Sequence, residues 1–394
     1  MNQTPKFHQP LAGLNTSNFE FSNWKIAVDA YQEKDYKKSF YTLMDYINPE
    51  LRKKFGNAEQ TYFEVPHGSI VVHIKLVDDQ IEVHAPFLQL PETNVIPILR
   101  KVAELNFSPL NLAAIRLKDQ FLEFYFQCKL NTCEPYKMYY LLKEICMTGD
   151  TYDDYFTVKH HAKRIQDPKV TPYSTIQAEQ AWTQTCSYID EAMEYVSYFD
   201  GKRWYQYSSE ILALALLKIE HYASPQGIIK NELEDAVDYL YTHNTLQDKI
   251  KSSKKALMKI KERGKEAFIA DLYRAETFVA FKTACSLVDR QKVWEPRLQQ
   301  ATEELNSNNY MGVVFNLMNS FYDSSFYNTI PADLDNFINN LLENASGKDW
   351  KEAAEILVIG MKSIVSGNIQ AVQKPVAAPV AASKGGFFSK LFGN

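Results

Sequence analysis

The chain has 394 residues, of which 45% are hydrophobic and 23% are charged, and its formal net charge is −5. This composition excludes a disordered chain, a collagen, and a nucleic-acid-binding protein that relies on overall basicity. A chain of this length exceeds one comfortable hydrophobic core and predicts two or three domains.

The five cysteines are an odd number, and no two of them form a CxxC motif. This usage indicates free, reduced thiols rather than a disulfide framework. The N-terminal residues contain no apolar stretch of signal-peptide length, and no run approaches the roughly 18 uninterrupted apolar residues that suggest a membrane span. We therefore expect a cytoplasmic protein.

The pattern of apolar and polar residues changes along the chain. Helical and alternating patterns are mixed up to the polar stretch QDPKVTPYST, in which Pro168 and Pro172 prevent a continuous helix, and helical periodicity dominates afterwards. We predict four parts: an N-terminal arm (1–18), a mixed α+β region (19–166), an all-α region (174–368), and a linker with an apolar C-terminal peptide (369–394).

The mixed region begins with two predicted helices, the first near Trp24–Tyr31 and the second over Tyr36–Ile47. The segment TYFEV and two hairpins follow. A loop at Asp78-Asp79 pairs Lys75 with Glu82 and His73 with His84, and a loop at Asp119-Gln120 pairs Arg116 with Glu123. This register places one set of apolar residues in the core: Ile74, Ile81, Val83, Ile115, Leu117, Leu122, Phe124 and Phe126.

Three further helices are expected in this region. The segment VIPILRKVAELN has an apolar stripe and starts with Thr93 or Asn94 as its N-cap. A helix starting at Pro135 follows the second hairpin, and a shorter helix after Gly149 uses Asp150 as its cap. The predicted order is helices, three strands, a helix, two strands, and helices.

This order and these residues resemble the type III secretion chaperone-like fold, in its YbjN-related branch. The matching stretches are TYFEVPHGSIVVHIKLVDDQIEVHAPF, PILRKVAELNF with AAIRLKDQFLEFYFQCKL, and YYLLKEICMTGDTYDDYF. The resemblance covers about Tyr62–Phe156 and implies a non-enzymatic domain that binds extended client segments on its sheet and helix surface, often as a dimer. It also implies service to a bacterial secretion or injection assembly, and it supplies no catalytic residues.

The all-α region contains a weak internal repeat, in which a polar residue and an aromatic residue precede an aliphatic residue. Trp204, Tyr310 and Trp350 occupy the aromatic position, and Tyr36 matches it in the mixed region. This pattern resembles part of a tetratricopeptide-type hairpin and predicts an array of helical hairpins. Other helices are expected over these ranges: 177–199, 228–241, 247–287 with a weak point at Gly264, and 332–344.

Several clusters could carry chemistry. A cross-strand pair of His73 and His84 could begin a metal site, but a third ligand is missing, so a solvated polar face is the better interpretation. The run from Asp150 to His161 gathers acids and histidines. Seven residues of helix separate Asp153 from His160 by about 10.5 Å, which is too far for one metal ion.

The sequence offers no ordinary support for catalysis. It has neither a GxSxG motif nor a GxxxxGK[ST] phosphate loop, so we expect no enzyme activity and no cofactor. The lysine row of Lys251, Lys255 and Lys259 could bind phosphates. An apolar stripe on the same helix favours a simpler interpretation, in which the lysines form the solvent-exposed face of an amphipathic helix. Nucleic-acid binding is therefore disfavoured.

We expect a non-enzymatic, protein-binding adaptor or chaperone-like factor that contacts partners through both regions and through its C-terminal peptide. Phe387, Phe388, Leu391 and Phe392 form an apolar, mildly basic tip suited to docking in a hydrophobic groove. The alternative is a peripheral membrane-associated component anchored by this FFSKLFGN peptide. A weaker third hypothesis is a metal protein or enzyme that uses His73, His84 or the pair His160-His161.

Overall fold

The computed structural model describes residues 2–11, 19–167, 169–279 and 281–369. The first unit contains five helices and six strands in chain order: α1 (Ser22–Gln32), α2 (Tyr36–Ile47), α3 (Leu51–Phe55), β1 (Tyr62–His67), β2 (Ile70–Val77), β3 (Gln80–Gln89), α4 (Val95–Phe107), β4 (Ala114–Lys118), β5 (Phe121–Lys129), α5 (Pro135–His160) and β6 (Lys163–Arg164). The fold is therefore α+β in its first part.

The strands form one antiparallel sheet with the order β1-β2-β3-β5-β4, and β6 pairs with β3 beside this path. The predicted register is confirmed in both hairpins. His73 pairs with His84 and Lys75 with Glu82, and Arg116 pairs with Glu123. The alternation of apolar and polar residues fixes this register because a slip of one position would turn every core side chain to the opposite face.

The core assignment holds for the residues of the central strands. Five of the predicted core side chains are at most 1% exposed: Ile74, Ile81, Val83, Leu122 and Phe124. The prediction for Leu117 is wrong, because this side chain is 50% exposed. Leu117 lies in β4, the last strand of the sheet, which has a neighbouring strand on one side only.

Side chains cover the first part of the outer edge of β4. Asn106 donates a hydrogen bond to the carbonyl of Ile115 at 2.8 Å and accepts one from its N–H at 2.7 Å. Glu144 accepts a hydrogen bond from the N–H of Ala113. These contacts satisfy backbone groups that would otherwise attract a further strand.

Helix α5 runs without interruption through Gly149, so the expected break into two helices and the role of Asp150 as a helix cap are both wrong. Gly149 serves packing instead. A Cβ at this position would lie 2.8 Å from Cδ1 of Ile70, so the missing side chain lets the helix approach the sheet closely. A glycine inside a helix costs about 1 kcal/mol relative to alanine, and this cost does not end α5.

The second unit is almost entirely helical. Its elements in chain order are β7 (Val170–Pro172), α6 (Thr175–Lys202), α7 (Tyr205–Ala223), α8 (Gly227–Leu240), α9 (Leu246–Ala270), β8 (Tyr273–Ala275), β9 (Thr283–Ala284), α10 (Leu287–Asn306), α11 (Tyr310–Tyr327), β10 (Asn328–Thr329), α12 (Ala332–Ala345) and α13 (Trp350–Val365).

The aromatic residues of the internal repeat lie at helix starts, as predicted. Trp204 is the N-cap residue of α7, and Tyr310 and Trp350 are the first residues of α11 and α13. Gly264 marks a kink within α9, where its φ is 84°. The helix expected over 247–287 ends instead at Ala270, after which the chain forms short strands.

Each unit receives a short segment of chain from outside its own sequence range. Phe7, from the expected N-terminal arm, is 6% exposed and belongs to the core of the helical unit. Thr4 anchors this arm by donating its hydroxyl to the carbonyl of Ala345 at 2.7 Å. Conversely, Phe278 and Val279 from the helical unit are buried in the core of the first unit. Each unit therefore completes the core of the other.

Candidate binding pocket in the helical unit

The residues proposed for docking by the C-terminal peptide, Phe387, Phe388, Leu391 and Phe392, lie outside the described residues. Their role therefore stays a prediction. Within the described ranges, no helix is both long and apolar enough to cross a membrane.

The pair His73 and His84 lies on the sheet face opposite the core. The two rings stack with centroids 4.7 Å apart, and Nδ1 of His73 lies 2.8 Å from the hydroxyl of Tyr62. Burial lowers the pKa of both histidines. Among the residues that the structure describes, no three His, Cys, Asp or Glu side chains are arranged to hold a metal ion.

The acidic residues near the end of α5 take part in ion pairs. Asp153 accepts a hydrogen bond from Nε of Arg164 at 3.0 Å, and Asp154 pairs with the same guanidinium. Asp150 reaches across to the helical unit, where Oδ2 lies 3.3 Å from Nζ of Lys230. These acids therefore join β6 to α5 and the first unit to the second.

The basic helix α9 is similarly tied to its neighbours. Nζ of Lys259 lies 2.9 Å from Oε1 of Glu232 in α8, and Lys261 contacts Asp190 in α6 at 2.6 Å. Lys251 and Lys255, from the row that could bind phosphates, are exposed. Much of the positive charge on this helix is therefore balanced within the protein.

A cavity of about 470 Å³ separates the two units. His67 lines it from the sheet side, and its Nδ1 accepts a hydrogen bond from the N–H of Phe278 at 3.1 Å. Lys282 pairs with Glu220 on the opposite wall at 3.1 Å. Burial raises the pKa of Glu234, also in the wall, to about 7. Two other ion pairs in its lining, Lys54 with Glu276 and Asp150 with Lys230, join the two units.

A larger open pocket, of about 790 Å³, lies within the helical unit. Helices α7 and α11 form its floor, α10 forms one wall, and the end of α8 with the start of α9 forms the other. We call it the amide pocket and define it by five polar residues: Glu210, Glu304, Asn316, Asn319 and Asp323.

Helix α11 explains the position of these groups. Its sequence is apolar on the faces that pack into the core, but Asn316, Asn319 and Asp323 recur at intervals of three and four residues. This spacing puts the three side chains in one row on one face of the helix. Asn319 donates to Oε2 of Glu210 at 2.7 Å, so the row also contacts α7.

Five buried polar atoms in the amide pocket have no hydrogen-bond partner within the described chain: Nδ2 and Oδ1 of Asn316, Oδ1 of Asn319, Oδ1 of Asp323 and Oε2 of Glu304. Folded proteins seldom leave buried polar groups unpaired, because each costs about 1–3 kcal/mol. Four of the five are acceptor oxygens. The lining of the pocket therefore includes several buried acceptor oxygens without a partner in the described chain.

The charge of the pocket is divided between floor and rim. Burial raises the pKa of the Glu210 and Asp323 carboxyls on the floor. The rim carries Arg203 and Arg297, which are exposed. Trp204 is 41% exposed beside them and offers an apolar ring surface.

This site was not predicted from the sequence, although the sequence contains a signal of it. Within YMGVVFNLMNSFYDSSFY, the polar residues Asn316, Asn319 and Asp323 interrupt a strongly apolar helix at a helical period. A polar row on a helix that packs on several sides requires either internal partners or a ligand. Only the structure distinguishes these two cases, because partners on α7 and α10 are remote in sequence.

No protein-family model, curated protein or solved structure matches this chain.

Proposed function

We propose that the protein is a non-enzymatic, protein-binding adaptor whose helical unit holds an extended segment of a partner in the amide pocket. The observation that carries this proposal is the set of unpaired, buried polar atoms on one row of α11. A peptide group offers one donor and one acceptor, and the primary amide of Asn316 offers both complements.

The dimensions of the row support an extended peptide. Asn316 and Asp323 are seven helical residues apart, so their Cα atoms are separated by about 10.5 Å along the axis of α11. Three residues of an extended chain span about 10 Å. In an extended chain, alternate N–H groups point to the same side and repeat about every 6.8 Å. A peptide that lies along α11 can therefore present two such N–H groups to the acceptor oxygens of the row formed by Asn316, Asn319 and Asp323.

The surroundings of the row support the same ligand class. Trp204 and Tyr205, which are 41% and 39% exposed, can cover an apolar side chain of the peptide. The hydroxyl of Tyr241 donates to Oδ2 of Asp323 at 2.6 Å and leaves Oδ1 for the ligand. The carboxylate is thereby oriented before the ligand arrives, which reduces the cost of binding.

The first unit is a further partner surface in this proposal. Its strand order, with α4 between β3 and β4 and α5 after β5, supports the YbjN-like, type III secretion chaperone-like fold. Because side chains cover the first part of the outer edge of β4, we place the interaction on the open sheet face around His84 and Tyr125 rather than on that edge. A homodimer and service to a bacterial secretion or injection assembly rest on the resemblance alone.

Selection from a displayed peptide library on the full-length protein tests the pocket. We expect a family of extended peptides that binds wild-type protein, loses at least tenfold affinity for Asn316→Leu, and retains it for Asn336→Leu. Asn336 is an exposed asparagine in α12 outside the pocket, so it controls for the chemistry of the substitution. Peptides that bind all three proteins equally, or no enrichment at all, would refute the proposal.

A further inference from the structure

Two of the five thiols are in contact where the sheet joins α5. Cys128 lies in β5, and Cys133 directly precedes Glu134, the N-cap residue of α5. Their Sγ atoms are 3.2 Å apart. A disulfide has a length of about 2.05 Å, so an approach of roughly 1 Å is sufficient to form the bond.

The connection between the two cysteines is held in place by several hydrogen bonds. The N–H of Cys133 donates to the carbonyl of Leu130 at 3.1 Å, and the N–H of Leu130 donates to the carbonyl of Asp79. The hydroxyl of Tyr31, in α1, donates to the carbonyl of Asn131 at 2.8 Å. The fold itself therefore keeps the thiols together.

The two thiols have different environments. Cys128 is partly exposed, whereas Cys133 is 1% exposed. The hydrogen bond between them lowers the pKa of Cys128 and raises that of Cys133. The reachable thiol is thus the one that more readily forms the nucleophilic thiolate, and the buried thiol lies behind it.

We propose that Cys128 and Cys133 form a redox-active dithiol that small disulfides, such as oxidised glutathione, convert to an intramolecular disulfide. The Cys128 thiolate attacks one glutathione sulfur, the glutathione disulfide breaks, and the departing thiolate takes up a proton. Cys133 then loses its proton and attacks Sγ of Cys128, which releases the second glutathione. Two electrons pass from the protein to glutathione disulfide, and two reduced glutathione molecules leave.

The remaining cysteines are placed differently. Cys146 and Cys285 are buried, and Cys186 is partly exposed. None of these three has another thiol in hydrogen-bond contact within the described ranges. Oxidation should therefore be selective for the pair.

Equilibration of the full-length protein with oxidised glutathione, followed by alkylation and intact-mass measurement, tests the proposal. We expect loss of the mass of two hydrogen atoms and a fall from five titratable thiols to three, both reversed by dithiothreitol. Trypsin cleaves after Lys129, between the two cysteines, so the oxidised protein should yield the peptides 119–129 and 130–137 as one disulfide-linked species. Retention of five thiols, or a linkage between other cysteines, would overturn the proposal.

Two variants separate the chemical roles. Cys133→Ser should trap Cys128 with one bound glutathione, because the resolving thiol is absent. Cys128→Ser should acquire no disulfide, and Cys186→Ser should behave as wild type. Equal glutathione labelling of Cys128 and Cys186 in the Cys133→Ser protein would show ordinary surface thiols and would also overturn the proposal.

Discussion

Replacement of Asn316 by leucine should stabilise the protein while it removes binding to the amide pocket. Both Nδ2 and Oδ1 of Asn316 are buried without a partner in the described structure. A leucine has a similar branched shape and contains no polar atom to desolvate. Most core substitutions destabilise a protein, so a gain in stability would be specific evidence of a group retained for a ligand.

The magnitude follows from the buried amide. An unpaired buried donor or acceptor costs about 1–3 kcal/mol, and the higher helix propensity of leucine adds a few tenths of a kcal/mol. We expect Asn316→Leu to raise the free energy of unfolding by at least about 1–3 kcal/mol, because either of its two unpaired atoms alone accounts for that amount. Asn336→Leu, on an exposed face of α12, should change it only by the propensity difference.

Urea denaturation followed by far-ultraviolet circular dichroism measures both variants against wild type. The difference between the two variants isolates the desolvation of the amide, because both gain the same propensity. If Asn316→Leu is less stable than Asn336→Leu, the fold itself depends on the amide of Asn316. The pocket would then contain no group held open for a ligand, and the proposed peptide site would be refuted.

Three further substitutions test the fold. Burial raises the pKa of Glu234 to about 7, compared with 4.5 for an unperturbed Glu. Between these two pH values, the folded protein keeps a proton that the unfolded chain releases. The free energy of unfolding therefore falls as the pH rises from 4.5 to 7. Glu234→Gln should therefore raise the free energy of unfolding by up to about 3 kcal/mol at pH 8 but by little at pH 4.5. The exposed control Asp235→Asn should show no such pH dependence. A stabilisation by Glu234→Gln that is independent of pH would contradict this expectation. Phe124→Ala should lower the free energy of unfolding by about 3–5 kcal/mol, because Phe124 is 0% exposed, and an unchanged urea midpoint would contradict the sheet assignment. Phe7→Ala should cost about 3 kcal/mol despite its position near the N-terminus, and equal stability would show that the arm does not pack.

The parts of the fold that sequence reasoning predicted are those fixed by local repetition. The hairpin register was predictable because apolar residues alternate on both strands and Lys75 meets Glu82 at the same time. The helix starts at Tyr310 and Trp350 were predictable because an aromatic residue follows a polar N-cap, here Asn309 and Asp349. In these cases, neighbouring residues carry the whole signal.

The parts that were missed depend on residues far apart in the chain. Gly149 suggested a helix break, but its role became clear only with Ile70 packed against it. Leu117 follows the period of a core strand, and its exposure results from the position of β4 at the sheet edge. The amide pocket depends on α7, α10 and α11 together, so its pattern on α11 alone was ambiguous.

The exchange of segments between the units has a consequence for synthesis on the ribosome. The arm that contains Phe7 bonds to Ala345, which lies 341 residues after Thr4. At about 5–20 residues per second, the arm waits roughly 17–70 s for its binding site to be made. The first unit likewise lacks Phe278 and Val279 until α6 to α9 of the helical unit have emerged. The hydrophobic cores of both units are therefore completed late in synthesis. Until then, the nascent chain exposes apolar surface that nascent-chain chaperones can recognise.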